Sequence, residues 1–190
     1  ALGFGLSPVE GPSAALNRVR RLSRWMVRAC WSLLVMLPAG LVAYAWIGSE
    51  EAFLRHANLF THSLLTPPSS GQWMAAGALL SLPLWLLLVG VWHAKACFSR
   101  FAQGQVFTAE AAAGLRRVAG WVAAAALSAL IGSMLASVIL TLHHPTGQRM
   151  LAVGIGSDHL VTLFFAALVW LMADVIGQGQ KLAEENQGFV

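Results

Sequence analysis

Four apolar runs of transmembrane length dominate this sequence. They extend approximately over residues 25–48, 74–98, 118–142 and 160–178, and each contains no more than one or two ionisable residues. At about 1.5 Å per residue, each run is long enough to cross roughly 30 Å of hydrocarbon as an α-helix. Only 11% of the residues are charged and the mean hydropathy is +0.67, whereas soluble domains carry about 25% charged residues. We predict an all-α integral membrane protein with four transmembrane helices, arranged as two tandem helical hairpins.

Basic residues are concentrated on one side of these runs. Of the 12 Lys and Arg residues, only Arg55 and Arg149 fall on the other side. The positive-inside rule then predicts that both termini are cytoplasmic. Direct binding of nucleic acid would require a basic patch on a soluble module, and the sequence contains no such module. Anionic lipid headgroups are the expected partners of the basic residues that precede the first run: Arg18, Arg20, Arg21 and Arg24.

The regions outside the runs divide the chain in a simple way. Residues 1–24 are expected to form a mobile tail and a basic juxtamembrane segment, with a short helix over 14–24 at the membrane surface. Residues 25–190 form the four-span membrane domain. Within the first outer segment, Phe53, Leu54, Ala57 and Phe60 have helical spacing. They predict a short helix, ended by the turn-forming stretch at 66–71.

A short phrase occurs twice, once after the second run and once after the fourth. FAQGQVFTAE (101–110) and IGQGQKLAEE (176–185) share the pattern Gly-Gln-x-apolar-x-x-Glu. Arg-Arg, three residues and Trp open both the first and the third run, at Arg20 and Arg116. These echoes favour a parallel repeat of two hairpins. Coincidence in a chain rich in Ala, Gly and Arg is the alternative.

Both phrases predict a turn where a hairpin returns to the cytoplasm. Gly at the first position ends a helix cheaply in the left-handed conformation. Thr108 is placed to cap the next helix, and the Glu110 carboxylate in its first turn would interact favourably with the positive end of the helix dipole. These matched elbows are our first candidates for a partner-binding surface, and their residues are Gly104, Gln105, Phe107, Thr108, Glu110, Arg116, Arg117, Gly179, Gln180, Leu182, Glu184 and Glu185.

The same elements resemble a bacterial four-span membrane family catalogued only as a domain of unknown function. The resemblance covers roughly residues 25–190. It rests on a Gly-x-x-Phe-Thr-x-Glu element at 104–110, an Arg-rich helix start at 116–117 and a Gly-x-x-Leu-x-Glu-Glu-Asn close at 179–186. His159 between Asp158 and Leu160 is a small departure from the family pattern. Some members are encoded beside Cro/CI-type regulators, which implies a regulatory role in the bacterial inner membrane and no catalytic activity.

Small residues recur at every fourth position of the third run. One helix face is therefore nearly free of side chains and allows a neighbouring helix to approach closely. Packing within the chain is the preferred interpretation and dimerisation the alternative. The positions are Gly120, Ala124, Ser128, Gly132 and Ala136.

Asp174 is the one carboxylate inside a predicted span, about a turn from its cytoplasmic end. Such a group is a functional candidate by default. We prefer an ion pair with Arg28, Arg100 or Lys95, which lie at a similar predicted depth.

Five histidines are predicted on the outer side, where imidazoles and carboxylates could bind zinc or copper. No pair has the i, i+4 spacing of a strong site, so no metal or cofactor is expected. The five are His56, His62, His143, His144 and His159.

Known catalytic motifs do not occur in the sequence, and we expect a non-enzymatic protein. Our preferred function is a regulatory or accessory subunit that binds a partner protein, or a second copy of itself, within or beneath the membrane. A small transporter or channel component is the alternative, for which only Ser128, Ser133 and Ser137 offer a polar stripe. An outer-face metal-binding protein is a third reading.

Overall fold

A computed structural model describes residues 12–59, 64, 67–105, 108–145, 151–154 and 156–187. Phe107 and His62 lie outside these ranges. Within them, the description does not extend to the side chains of residues 12–16, 183, 184, 186 and 187. The predictions for Phe107, His62 and the Glu184 side chain therefore lie outside the described residues. The described chain is helical and contains no strand. Its helices are α1 (Pro12–Ile47), α2 (Glu50–His56), α3 (Ser70–Ala102), α4 (Ala109–Leu140) and α5 (Ser157–Gln187).

Four of the helices are long and apolar enough to cross a membrane, as predicted. The candidate spans are Asn17–Ile47, Ser70–Ala102, Ala109–Leu140 and Ser157–Leu182. The chain is thus a multi-pass, all-α membrane protein. Each helix is longer than the roughly 20 residues that hydrocarbon requires, so the helices extend beyond the apolar runs.

The long helices pack in the order α1, α3, α4, α5. α1 packs on α3, α3 on α4, and α4 on α5. In the most apolar segment of α4, 33% of the residues are buried inside the protein, whereas in that of α1 only 6% of the residues are buried. α4 is therefore a central helix, and α1 lies at the edge with most of its apolar surface available to lipid.

Two ends of the molecule can be distinguished. The arginine-rich end contains the start of α1, the end of α3, the start of α4 and the end of α5, together with residues 103–105 and 108 of the turn between α3 and α4. The loop end contains α2, residues 57–59, residues 151–154 and residue 156.

The tightest apolar core lies at the loop end, where α2 covers the ends of α3 and α4. Its buried members are Leu54, Ala57, Leu59, Ala76, Ala136 and Leu140. Ser49 caps α2 by accepting a hydrogen bond from the Ala52 amide at 3.2 Å. The predicted short helix is therefore present. The helix ends before Asn58, whose φ of 55° is incompatible with a continuing helix, and not at the later Pro-Ser stretch. Asn adopts this conformation more readily than most residues.

The N-terminal basic segment differs from the expectation. Residues 12–24 belong to α1, which continues without interruption to Ile47. A single unbroken helix cannot both span the bilayer and lie along its surface. Residues 14–24 are therefore helical as expected, but they form the first turns of α1 and not a separate helix, because no helix-breaking residue separates the basic segment from the apolar run.

The small-residue positions of α4 pack within the chain. A Cβ on Gly132 would lie 3.2 Å from the Leu79 carbonyl oxygen of α3, and one on Gly120 would lie 3.5 Å from the Trp170 ring of α5. A spacing of four residues drifts by about 40° per step around a helix with 3.6 residues per turn. The stripe therefore turns from α5 towards α3 along α4, as the preferred interpretation of intramolecular packing requires.

Candidate functional site

The turn between α3 and α4 is fixed by local hydrogen bonds at both of its ends. The Gly104 amide donates to the Phe101 carbonyl at 3.0 Å and the Gln105 amide donates to the Arg100 carbonyl at 3.1 Å. This is a Schellman arrangement, and Gly104 supplies the positive φ of 90° that it needs. The sequence prediction for Gly104 is confirmed.

The start of α4 is also as predicted. The Thr108 hydroxyl oxygen accepts a hydrogen bond from the Ala111 amide at 3.1 Å. Glu110 lies in the first turn, where a carboxylate stabilises the helix dipole. Gln105 and Glu110 are both exposed, so this turn presents polar side chains to its surroundings.

The second phrase does not form an elbow. Gly179 lies inside α5, which continues to Gln187, and a Cβ on Gly179 would meet no atom within 4 Å. The prediction that Gly179 ends a helix was wrong. Lys, Leu, Ala and Glu follow it, and these strong helix formers carry the helix through a single Gly that costs about 1 kcal/mol. The first phrase instead continues with Phe-Thr, and Thr108 begins a new helix.

Three contacts link neighbouring helices at the arginine-rich end. Arg100 Nη1 lies 3.4 Å from Glu110 Oε2, which joins the end of α3 to the start of α4. From α1, the Arg20 guanidinium covers the turn, since a Cβ on Gly104 would lie 2.9 Å from Arg20 Nη2. The third contact joins α4 to α5 and involves Asp174, the carboxylate that was predicted to lie inside the fourth span.

Asp174 forms an ion pair, but with a partner that was not predicted. Its Oδ1 lies 2.6 Å from Arg116 Nε, and the two side chains are 38% and 46% exposed. The pair joins α5 to α4 at this position. Arg100 is taken by Glu110, which removes one of the three predicted partners.

The other two predicted partners of Asp174 contact aromatic rings. Lys95 Nζ lies 4.3 Å from the centre of the Trp31 ring and 3.9 Å from that of Trp92. The Arg28 guanidinium carbon lies 5.3 Å from the centre of the Trp25 ring. Of these cation–π contacts, the one between Lys95 and Trp31 joins α3 to α1 near the arginine-rich end, and the other two lie within a single helix. The spacing of Trp92 and Lys95, one helical turn apart, was the sequence signal for them.

The remaining predicted positions lie on the outside of this end. Arg117, Leu182 and Glu185 are exposed, and Leu182 exposes 61% of its surface. Gln180 lines a cavity of about 490 Å³ between α4 and α5, together with Arg116 and Asp174. Most of the predicted residues are thus gathered at one end of the molecule, although only the first phrase forms a turn.

A family model described as "Protein of unknown function (DUF2975)" matches residues 43–188. The chain belongs to this family. The match begins at Ala43, later than the predicted residue 25, so most of α1 lies outside it. Searches of curated proteins and of solved structures found no match to the chain.

The part of this DUF2975 chain that matches the family contains the first phrase and its contacts. The ion pairs Arg100–Glu110 and Arg116–Asp174 both lie within residues 43–188. The Arg20 contact and the Trp31 contact come from the part of α1 outside the match. The arginine-rich end is therefore built from the family domain and completed by α1.

The histidines at the loop end do not gather into a metal site in the described part of the DUF2975 chain. Among those residues, no group of three His, Cys, Asp or Glu side chains could hold a metal ion. His56 Nδ1 instead lies 2.8 Å from the Ala52 carbonyl oxygen and 3.3 Å from the Tyr44 hydroxyl. His159 Nε2 lies 3.9 Å from its neighbour Asp158.

The three serines that offered a polar stripe bond to their own helix. Ser128, Ser133 and Ser137 donate to the carbonyls three residues earlier, at 2.7–2.9 Å. The Ser137 hydroxyl also accepts from the Ala152 amide at 3.0 Å and so holds the loop at 151–154 against α4. Ser133 and Ser137 are buried, which gives them a packing role.

Sequence reasoning missed a buried polar link at the loop end. Gln72 is only 7% exposed and its Nε2 donates to the Ile139 carbonyl at 2.6 Å. Its Oε1 also accepts from the Ser69 amide at 2.7 Å, which completes a capping box at the start of α3. The Ser-x-x-Gln spacing was a signal for the cap, but nothing local indicated the bond to α4.

Proposed function

We propose that this chain is a non-enzymatic regulatory or accessory protein of the bacterial inner membrane, with both termini in the cytoplasm. Its arginine-rich end binds a partner protein. The observation that carries the proposal is the linked set of helix ends there, held by the Arg20, Arg100–Glu110 and Arg116–Asp174 contacts.

The helices of this end reach beyond the hydrocarbon. α5 continues from the end of its apolar run at residue 178 to Gln187, a further nine residues or about 14 Å at the rise of an α-helix. α1 begins at Pro12, well before the apolar run. Helix ends of this length, linked to each other, present a surface of defined shape, and a pre-formed surface binds with a smaller loss of entropy.

The chemistry of this surface suits a protein partner. The exposed Leu182 lies on α5 close in sequence to Lys181 and Glu185, and Gln105 and Arg117 are exposed on the adjoining elements. Interfaces that are not permanently assembled are about as apolar as the rest of a protein surface, and this mixed surface fits such an interface. The resemblance to a family with members encoded beside Cro/CI-type regulators supports the regulatory role, and the ten basic residues on this side support the orientation.

Site-specific photo-crosslinking in the native membrane tests the proposal. A photoreactive residue replacing Gln105, and separately one replacing Glu185, is expected to cross-link the same protein, identified by mass spectrometry. Glu50, which is exposed at the loop end, is the matched control and is expected not to cross-link it.

A variant that introduces a negative charge in place of the exposed apolar side chain tests whether the surface itself matters. Leu182→Glu is expected to abolish both adducts while leaving the amount of protein in the membrane unchanged. If Gln105 and Glu185 gave no protein adduct, or gave adducts only with a second copy of this chain, the role as a subunit for a different protein would be wrong.

A further inference from the structure

Two adjoining cavities lie between α4 and α5 and meet at Asp174. The polar one, of about 490 Å³, lies at the arginine-rich end and is lined by Ala109, Ala112, Ala113, Arg116, Asp174 and Lys181, among others. The apolar one, of about 390 Å³, continues along the helices towards the loop end and is lined chiefly by Ala119, Ala123, Leu163, Ala166, Ala167 and Trp170. We call the two together the α4–α5 groove.

Small residues on both helices create this groove. Ala119 and Ala123 on α4 face a part of α5 that contains Ala166 and Ala167, so the helices pack at their backbones and leave space beside the contact. At the polar end, a Cβ on Gly177 would lie 3.4 Å from Arg116 Nη2. Gly177 therefore leaves room for the guanidinium to reach across to α5.

The charges at the polar end favour an anion. Arg116 and Lys181 both line the cavity, and Asp174 is the one carboxylate among its described lining residues, so these lining residues carry a net charge of one positive unit. Asp174 engages Arg116 through Nε, and a guanidinium has further N–H donors for an oxyanion. Arginine and lysine at the membrane boundary are the side chains that recognise lipid phosphate.

The apolar part has the length of a lipid chain in one leaflet. From Asp174 to Leu163 the groove extends over 11 residues of α5, or about 16 Å. Half of a hydrocarbon core of roughly 30 Å is close to this length. Trp170, which exposes 46% of its surface, offers an aromatic face partway along.

We propose that the α4–α5 groove binds one anionic phospholipid, with its phosphate at Arg116 and Lys181 and an acyl chain along Ala123, Ala167 and Trp170. This site is distinct from the diffuse attraction of lipid to the basic start of α1, because it combines a polar chamber that is large enough for a phospholipid headgroup with an apolar channel. It does not depend on the partner protein proposed above.

Native mass spectrometry of the purified full chain tests the site directly. With phosphatidylglycerol as the probe, one lipid is expected to bind more tightly than the rest, and phosphatidylcholine is expected not to replace it. Arg116→Gln combined with Lys181→Gln is expected to weaken this binding about 30-fold, from the loss of two cations near the phosphate. Arg21→Gln combined with Arg24→Gln removes the same charge from α1 and is expected to leave it within about twofold.

A second variant keeps the charges and fills the apolar part. Ala167→Phe is expected to reduce the tight binding about tenfold or more, because the ring occupies the path of the acyl chain; Ala29→Phe on the exposed face of α1 is its control. Each variant is accepted only if it elutes as the same monodisperse species as the parent.

Three results would overturn the proposal. Equal binding of phosphatidylcholine would remove the role of charge. Unchanged binding by Ala167→Phe would remove the role of the groove. Full competition by millimolar inorganic phosphate would show that the cations recognise a free anion and not a lipid.

Discussion

At the scale of residues, the two copies of the repeated phrase impose opposite demands on their glycines. Gly104 holds a positive φ in a turn beneath the Arg20 guanidinium. Gly179 has ordinary helical geometry and open space around it. A shared sequence pattern therefore does not have a shared structural role here.

This difference predicts that alanine substitutions at the two glycines change the free energy of unfolding in opposite directions. Gly104→Ala is expected to lower the free energy of unfolding by about 1–2 kcal/mol, because a side chain at positive φ is strained and would also meet Arg20. Gly179→Ala is expected to raise it by about 0.5–1 kcal/mol, since alanine is the better helix former. Denaturant titration in mixed micelles measures both, and a loss of similar size in both variants would contradict the helical position of Gly179.

Local rules succeeded at the residue scale where the structure itself is local. Gly104, Thr108 and Glu110 were predictable because a helix end and a helix start involve only residues a few positions apart. The partner of Asp174 was not predictable, since it depends on the register in which α5 packs along α4. Depth in the membrane suggested Lys95, Arg28 or Arg100, but tryptophans and Glu110 already engage those three.

At the scale of elements, Gly132 of α4 packs closely against α3, whereas Gly40 of α1 has open space beside it. Gly132 approaches the Leu79 carbonyl of α3. Gly40 on α1 instead lines an apolar cleft of about 850 Å³ between α1 and α3, and a Cβ added there meets nothing within 4 Å. The sequence indicated a small-residue face on α4, but the cleft beside α1 had no visible signal.

Adding the same side chain at both glycines tests this contrast. Gly132→Leu is expected to cost about 1–3 kcal/mol of unfolding free energy, because overpacking would push α3 and α4 apart. Gly40→Leu places its side chain in the cleft and is expected to cause no loss. Thermal unfolding of the two variants in the same detergent provides the comparison, and a larger loss for Gly40→Leu would refute the packing of both helices.

At the scale of the whole molecule, the four spans were predictable because length and hydropathy alone determine them. The order α1, α3, α4, α5 was not, and neither was the concentration of the buried core at the loop end. Apolar residues that face lipid look the same in sequence as apolar residues that face another helix. The core at Leu54, Ala76 and Leu140 therefore needed the structure to be found.

The arrangement requires that the turn after α3 and the end of α5 lie on the same side of the membrane. Single cysteines replacing Gln105, Glu185 and Glu50, in a chain whose Cys30 and Cys97 are changed to alanine, can be labelled with a membrane-impermeant maleimide in sealed vesicles of known orientation. We expect Gln105→Cys and Glu185→Cys to react only from the cytoplasmic side, and Glu50→Cys only from the opposite side. Reaction of Gln105→Cys and Glu185→Cys from different sides would contradict the four-span topology and the arginine-rich end together.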